Sequence, residues 1–266
     1  MPADTTELKQ RLEFALAAAR EASTLILPYY NNPDLAVELK GDESPVTAAD
    51  RGAEELLRKL IAEEYPADGI LGEEFGEREG TSGYRWILDP IDGTVSFVHG
   101  VPLFGTLIGL EQAGEAKLGV CRMPALDETV YAASGCGAWW QTGGADPRPA
   151  RVSDTDRLDR ALFSYTALEL FAEYHRRSAF DALMDSVASS RAWGDCYGHI
   201  LVATGRADLM VDPVMNAWDA APLLPILREA GGSFVDWTGS ETIYGGNGIS
   251  VNARLRDAVV EVVTRD

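Results

Sequence analysis

Apolar residues recur at helical spacing in two stretches of the first 65 residues. The predicted helices span residues 5–30 and 47–65. In the first, Leu8, Leu12 and Ala15 fall on one face, which is typical of an amphipathic helix packed on a core. Two helices are therefore expected before the first sheet.

From residue 84 onward the pattern changes to short runs of β-branched and aromatic residues. These runs predict strands over 84–89, 106–111, 117–122, 128–133 and 137–141. Pro90 is expected to end the first strand, while Ala113-Gly114 and Gly135 mark the turns of antiparallel hairpins. The first half of the chain is predicted to be α+β.

Residues 142–151 are rich in Gly, Pro and Asp and form the best candidate boundary. Beyond them strands and helices alternate, which favours an α/β second half. We therefore expect an N-terminal half over 1–145 and a C-terminal half over 146–266 that completes a pocket within one domain.

The composition excludes several classes of protein. A formal net charge of −19 over 266 residues opposes binding to nucleic acid or to an anionic membrane. No secretory signal or long apolar run is present, and three cysteines without a CxxC pair suggest neither a disulfide framework nor a zinc site. A cytoplasmic protein is expected.

The segment Asp89-Pro90-Ile91-Asp92-Gly93-Thr94 places two carboxylates three residues apart just after a predicted strand. Carboxylates this close repel each other in a cleft unless one is protonated or a cation binds. Oxygen ligands without His or Cys favour a hard divalent ion such as Mg²⁺, Mn²⁺ or Ca²⁺.

Further acids accompany this motif. Glu73 lies in Gly72-Glu73-Glu74, Asp219 follows Trp218, and Asp50 lies near the start of the second helix. Each alone has an ordinary explanation, because acids cap helices and solvate acidic surfaces. The combination is what favours a metal site.

Other chemistries lack their motifs. Ser96 has no G-x-S-x-G setting, and the histidines His99, His175 and His199 have no partner spacing for a nucleophilic triad. Neither a phosphate-binding P-loop nor a complete dinucleotide fingerprint is present.

Gly72-Glu73-Glu74, the Asp89–Thr94 segment, and Trp218-Asp219 followed by Glu229-Ala230-Gly231-Gly232 resemble successive signatures of the inositol monophosphatase superfamily. The resemblance covers about residues 40–236. It implies a layered αβαβα sugar-phosphatase fold, usually dimeric, with Mg²⁺-dependent hydrolysis of small-molecule phosphate monoesters.

The resemblance also implies ligands for two to three Mg²⁺ ions. One ion would be held by Glu73, Asp89 and the Ile91 carbonyl, and a second by Asp89, Asp92 and Asp219. A third, looser ion would lie near Glu73. Several positive charges would then reverse the sign of the acidic cleft and let a phosphate dianion enter.

The remaining roles follow the same motif. Backbone N–H groups of Gly93 and Thr94 would bind phosphate oxygens. Asp50 matches the acid that hydrogen-bonds the motif threonine, here Thr94. These two residues would orient a water activated by a metal, with Glu73 sharing the role of base, and no covalent intermediate is required.

Substrate choice depends on Trp193-Gly194-Asp195-Cys196-Tyr197, which is similar to the histidinol-phosphatase branch of the superfamily. Histidinol phosphate carries an ammonium group that an acid can pair with, whereas inositol offers only hydroxyls. Asp195 and Asp212 are the candidate substrate-binding acids. Asp195 could equally be a helix N-cap, and the family more often has Glu at the position of Asp212.

Three alternatives stay open. The chain could hydrolyse inositol 1-phosphate or a broad set of sugar phosphates. A haloacid-dehalogenase type of phosphatase also pairs aspartates before a threonine, but its D-x-D-x-T motif is one residue tighter than the D-x-x-D-G-T found here. A non-catalytic module that binds divalent ions is the third.

Overall fold

The computed structural model describes residues 5–39, 41 and 45–265, and all elements below lie within them. The α-helices are α1 (Thr5–Ile26), α2 (Ala48–Glu64), α3 (Thr94–Val98), α4 (Leu168–Glu173), α5 (Arg177–Ser186), α6 (Asp195–Ala203), α7 (Ala217–Glu229) and α8 (Arg256–Thr264). None of the described helices combines the length and the apolar character that crossing a lipid bilayer requires.

The strands form three sheets. They are β1 (Val37–Leu39), β2 (Pro45–Thr47), β3 (Gly69–Gly72), β4 (Gly76–Arg78), β5 (Tyr84–Asp92), β6 (Gly105–Gln112), β7 (Glu115–Met123), β8 (Glu128–Ala133), β9 (Ala138–Thr142), β10 (Arg148–Pro149), β11 (Leu162–Ser164), β12 (Ser189–Arg191), β13 (Leu209–Asp212), β14 (Gly232–Val235) and β15 (Gly248–Asn252). The first sheet has the order β10-β9-β8-β7-β6-β5-β3-β4, the second β12-β11-β13-β15-β14, and β1 pairs with β2.

These elements stack in five layers. Helices α1 and α2 cover one face of the first sheet, where Trp86 and Leu88 of β5 point toward them. Ile87 points to the opposite face and packs with α6 and α7 between the sheets. Helices α5 and α8 cover the outer face of the second sheet. The predicted αβαβα architecture is confirmed.

The predicted helices and hairpins are largely confirmed. Helix α2 begins directly after its cap Thr47, whose side chain accepts a hydrogen bond from the Ala49 N–H. The β6–β7 turn has positive φ at both Ala113 (53°) and Gly114 (82°), as a type I′ turn requires. Strands β8 and β9 also pair antiparallel.

Two predicted element boundaries differ from the structure. Helix α1 ends at Ile26 rather than near residue 30, and a 3₁₀ turn containing Pro28 follows, because proline lacks the N–H that would extend the helix. Strand β5 continues through Pro90 to Asp92, since its register shifts there and proline is tolerated at a bulge. The predicted boundary segment contains β10, which pairs with β9.

Helix α7 lies unusually close to the first sheet. A Cβ atom on Gly119 of β7 would come within 2.0 Å of the Pro222 carbonyl oxygen, so only glycine permits this contact. The close approach belongs to the same packing that brings the start of α7 to the end of β5. The fold thus delivers Asp219 to the carboxylates of the β5 motif.

Candidate active site

The site is built at the end of β5, where the strand leaves the sheet. Asp89 is buried inside the strand, and one of its oxygens accepts a hydrogen bond from the Ile91 N–H at 3.0 Å. Asp92 ends the strand, and the backbone N–H of Cys196 on α6 donates to its Oδ2 at 2.5 Å. The chain therefore presents both carboxylates within one irregular turn.

Gly93 reverses the chain between Asp92 and α3. Its φ of 81° lies in the left-handed region, and a Cβ atom here would approach the Leu103 carbonyl oxygen to 2.9 Å. Both facts favour glycine at this position. The backbone N–H groups of Gly93 and Thr94 consequently lie at the open start of a short helix.

Asp219 joins the two carboxylates from α7. It is in the first turn of the helix, where the Asn216 N–H donates to Asp219 Oδ2 at 2.6 Å. One carboxylate oxygen from each of Asp89, Asp92 and Asp219 lies within 4.8 Å of the others. Capping a helix and binding a cation are compatible here, because a carboxylate has two oxygens.

Burial and mutual repulsion disturb the titration of these acids. Burial raises the pKa of Asp89 well above its ordinary value, and the charges of Glu73, Asp92 and Asp219 raise it further. Burial likewise raises the pKa of Asp92 and, strongly, that of Asp219. The cluster is electrostatically unfavourable when ionised, which is the condition that a bound cation relieves.

Glu73 lies in the loop after β3, on the other side of Asp89. Its backbone N–H donates to the Leu88 carbonyl at 3.1 Å, so the loop continues the contact between β3 and β5. A side-chain hydrogen bond with Glu73 contributes to the raised pKa of Asp89. The structure therefore brings Glu73 to the edge of the carboxylate cluster.

Glu54 of α2 anchors this loop, and the sequence analysis missed it. Its fully buried carboxylate accepts hydrogen bonds from the backbone N–H groups of Glu74 (2.7 Å) and Phe75 (3.2 Å) and from Arg58 Nε (2.7 Å). Its only signal in the sequence is a Glu–Arg pair four residues apart, which is common on helix surfaces.

The expected hydrogen bond between Asp50 and Thr94 is not formed. Asp50 Oδ2 instead accepts from the backbone N–H (2.8 Å) and the hydroxyl (2.6 Å) of Thr47, completing a capping box. The Thr94 hydroxyl donates to the Ile91 carbonyl at 3.1 Å. Burial raises the pKa of Asp50, and the charge of Glu73 raises it further.

Two adjoining cavities open beside the cluster. The outer one, of about 540 Å³, is lined by residues that include Glu73, Gly93, Thr94 and Asp195. The inner one, of about 90 Å³, shares Asp195 with it. The inner lining includes the further acids Asp92, Asp212 and Asp219. An ester could lie in the outer cavity with a small group directed into the inner one.

Asp195 is not the helix N-cap that the sequence allowed, because Gly194 occupies that position. Asp195 has a left-handed φ of 52°, and its N–H donates to Thr166 Oγ1 at 2.9 Å. Its Oδ2 lies 3.1 Å from where a Cβ atom on Gly93 would be. Burial, then the charges of Asp92, Asp212 and Asp219, raise its pKa strongly.

Asp212 ends β13 and faces the inner cavity, where it meets His199, another residue that sequence reasoning left without a role. His199 Nε2 lies 3.2 Å from Asp212 Oδ2. Both side chains are almost completely buried. The pairing comes from tertiary packing of α6 on the second sheet, which no local motif announces.

The donor set suits a hard divalent cation. All three clustered side chains offer oxygen, they are close enough to share an ion, and their ionisation is costly without one. The described residues of the cluster include no His or Cys ligand. The arrangement can therefore hold a cation of the Mg²⁺ type beside a cleft large enough for a phosphate ester.

This electrostatic arrangement predicts how pH acts on stability. The pKa values of Asp89, Asp92, Asp195 and Asp219 are higher in the folded chain, so the folded chain binds protons more tightly than the unfolded chain. Without metal, the free energy of unfolding should fall as pH rises above about 4 through these raised values. Mg²⁺ relieves the repulsion, so the gain in Tm that it produces should grow between about pH 5 and about pH 8.

Thermal unfolding in Mg²⁺ and in EDTA, at the same ionic strength, measures this gain at each pH. When the two samples are compared at the same pH, the contribution that acids elsewhere on the chain make to Tm cancels. An equal gain in Tm at both ends of the range would show that these carboxylates do not bind the ion.

Comparisons with known proteins agree with this geometry. The family model described as the inositol monophosphatase family matches residues 7–265. A histidinol-phosphatase of Chlorobaculum parvum is 43% identical over 94% of this chain and 96% of its own length. A histidinol-phosphatase of Mycobacterium tuberculosis is 39% identical over 96% of both chains.

A solved structure extends the comparison to the fold. An inositol monophosphatase from Zymomonas mobilis superposes with a TM-score of 0.84 and 31% identity, covering 97% of this chain and 98% of its own. The chain therefore belongs to the inositol monophosphatase family and is a phosphoric monoester hydrolase.

Proposed function

We propose that the protein is a Mg²⁺-dependent histidinol-phosphatase, which hydrolyses L-histidinol phosphate to L-histidinol and phosphate in histidine biosynthesis. The observation that carries the proposal is the second acidic pair, Asp195 and Asp212, in the inner cavity directly beside the metal-ligand cluster. The two histidinol-phosphatases at 39% and 43% identity support the same substrate.

The cofactor would be two to three Mg²⁺ ions. Glu73, Asp89 and the Ile91 carbonyl would hold one, and Asp89, Asp92 and Asp219 would hold another, with a looser ion near Glu73. When bound, such ions supply positive charge for the phosphate oxygens and lower the pKa of water. Support comes from the oxygen-only donor set and its costly ionisation.

The turn after β5 would bind the phosphate group. The N–H groups of Gly93 and Thr94 lie at the start of α3, where no earlier helical carbonyl receives them. Because Gly93 carries no side chain, the backbone there can approach a ligand closely. Phosphate oxygens would accept hydrogen bonds from this turn.

Glu73 and Thr94 would prepare the attacking water. Thr94 Oγ1 would accept a hydrogen bond from the water and so orient it, while a Glu73 carboxylate oxygen takes its proton. Asp50 would help to orient the water through its charge, which interacts with that of Glu73. It does not contact the Thr94 hydroxyl. The water oxygen would bond to phosphorus as the ester P–O bond breaks, and the leaving alkoxide would take a proton from solvent, with no covalent bond to the protein.

Substrate preference would come from charge. An ammonium group in the inner cavity would face Asp195 and Asp212, whereas inositol would place only hydroxyls there. Charge-assisted hydrogen bonds are roughly twice as strong as neutral ones, so the amine-bearing ester gains more from this pocket. The inositol monophosphatase of Zymomonas mobilis supports hydrolysis of inositol 1-phosphate as the second candidate.

Phosphate release with Mg²⁺ tests the proposal directly. We expect a higher kcat/KM for L-histidinol phosphate than for myo-inositol 1-phosphate, and no turnover of either in EDTA. A preference for inositol phosphate would favour the second candidate. Activity that persists in EDTA, or a trapped aspartyl phosphate, would contradict the metal-assisted attack of water.

We also propose that the enzyme works as a homodimer in the cytoplasm. The dimer is what the family resemblance implies, and the three free cysteines, Cys121, Cys136 and Cys196, suit a reducing compartment.

A further inference from the structure

His199 is a buried histidine that lies outside the carboxylate cluster. It lies on α6 with only 1% of its surface exposed, and both ring nitrogens are in contact with polar groups. Nδ1 lies 2.7 Å from Ser250 Oγ of β15, and Nε2 lies 3.2 Å from Asp212 Oδ2. The ring therefore bridges the second sheet and the inner cavity.

The chemistry of these partners assigns the direction of each hydrogen bond. A carboxylate can only accept, so Nε2 carries the hydrogen and donates to Asp212 Oδ2. In the neutral imidazole Nδ1 is then an acceptor, and the Ser250 hydroxyl donates to it. Asp212 thereby selects the tautomer, and the Ser250 hydroxyl holds the other ring nitrogen by donating to it.

Within the described residues, only one of the two carboxylate oxygens of Asp212 has a hydrogen-bond partner. Its side chain is 7% exposed, and within the described residues its Oδ1 has no hydrogen-bond partner. A buried carboxylate oxygen without a partner is costly. Oδ1 is enclosed by protein atoms, so the surface of Asp212 that lines the inner cavity beside Asp195 belongs to the other atoms of the residue.

The inner cavity selects the kind of ligand. Its volume of about 90 Å³ suits a group of a few heavy atoms, and its acids are Asp92, Asp195, Asp212 and Asp219. When cations bind Asp92 and Asp219, Asp195 and Asp212 still face the cavity. A primary ammonium group, with three donors and one positive charge, matches this remainder.

We infer that His199 is a positioning residue that sets the preference for amine-bearing phosphate esters. By holding Asp212 Oδ2, it fixes the carboxylate in the wall of the inner cavity, where the negative charge attracts the ammonium group of the substrate. This inference rests on the proposed function and adds a residue outside the catalytic motif to it.

The test compares two esters that differ only in the amine. L-histidinol phosphate and its deamino analogue, 3-(imidazol-4-yl)propyl phosphate, are assayed with Mg²⁺ on the wild type, His199→Leu and His199→Gln. Leucine removes the donor, so the ratio of kcat/KM for the amine over the deamino ester should fall about tenfold, mainly through KM. Glutamine places an N–H₂ group near the position of Nε2 and should restore most of the ratio.

The outcomes distinguish a failure of the substrate proposal from a failure of the role proposed for His199. A wild type that does not prefer L-histidinol phosphate over the deamino ester would contradict the substrate proposal, whatever the variants do. A preferring wild type whose ratio survives in His199→Leu would overturn the role of His199. Equal losses on both esters in both variants would show a purely structural residue and would also overturn it.

Two further variants keep the test decisive. His175→Asn changes an exposed histidine whose φ of 56° asparagine tolerates, and it should keep the wild-type ratio. If His199→Leu does not fold, Ser250→Ala probes the same contact by removing the hydrogen bond that holds the ring at Nδ1. It should lower the ratio by a smaller factor, and an unchanged ratio would count against the inference.

Discussion

Asp92→Asn is expected to abolish turnover while the protein stays folded. The substitution removes one negative charge from the three carboxylates that lie within 4.8 Å of one another. A catalytic cation supplies several kcal/mol of transition-state stabilisation, and losing about 4 kcal/mol slows a reaction about a thousandfold. We therefore expect a loss of at least about a thousandfold in kcat.

The fold should tolerate this change for two reasons. Asp92 Oδ2 accepts the Cys196 N–H, and the amide oxygen of asparagine can accept the same hydrogen bond. The raised pKa of Asp92 shows that its ionised form is unfavourable in the folded chain. Above the ordinary pKa of aspartate the metal-free variant should thus be at least as stable as the metal-free wild type.

Steady-state phosphate release and thermal unfolding with and without Mg²⁺ measure both effects. Asp185→Asn is the matched control. Asp185 is exposed on α5, and its substitution removes the same charge far from the cluster. Near wild-type turnover in Asp92→Asn would overturn the assignment of the metal site. An unfolded variant would instead show that Asp92 is needed for the structure.

Part of the carboxylate cluster could be predicted because Asp89 and Asp92 belong to one short motif. Asp89, Asp92 and Gly93 sit in one turn, and the need of paired carboxylates for a cation follows from charge alone. Asp219 is distant in the sequence and joined the set only through the family resemblance. Its proximity depends on the packing of α7 against β7, where Gly119 lets the Pro222 carbonyl come close.

Contacts between elements distant in the sequence could not be predicted in the same way. Glu54 accepts a hydrogen bond from a loop about twenty residues away, and His199 of α6 contacts Ser250 of β15 in the second sheet. Neither has a periodicity or spacing that differs from an ordinary buried or surface residue. The capping role of Asp50 was visible in the sequence, but the choice between Thr47 and Thr94 as its partner depended on tertiary structure.

The balance of charge connects the proposed ions with the proposed substrate. A net charge of −19 and a partly buried acidic cluster repel a phosphate dianion, so binding would depend on cations. In the proposed function, Glu73, Asp89, Asp92 and Asp219 hold those cations at one end of the cleft. Asp195 and Asp212 remain at the other end, where a positive group on the substrate completes the compensation.

Asp195→Asn is accordingly expected to reverse the preference between substrates. Asparagine keeps the shape of the side chain and tolerates the φ of 52°, so the change removes charge with little strain. A hydrogen bond to a charged group contributes about 1.5–3 kcal/mol, which corresponds to about a tenfold to more than a hundredfold change. We expect kcat/KM for L-histidinol phosphate to fall about a hundredfold.

Myo-inositol 1-phosphate should lose much less in the same variant. It has no ammonium group to lose a partner, and removing the Asp195 charge weakens the repulsion that acts on Asp92, Asp212 and Asp219. Both esters are measured on the variant, the wild type and Asp154→Asn, which alters a side chain that is 95% exposed. Equal losses on the two esters would place Asp195 in the common phosphate chemistry. A selective loss would instead link this buried acid to the part of L-histidinol phosphate that inositol 1-phosphate lacks, which includes the ammonium group.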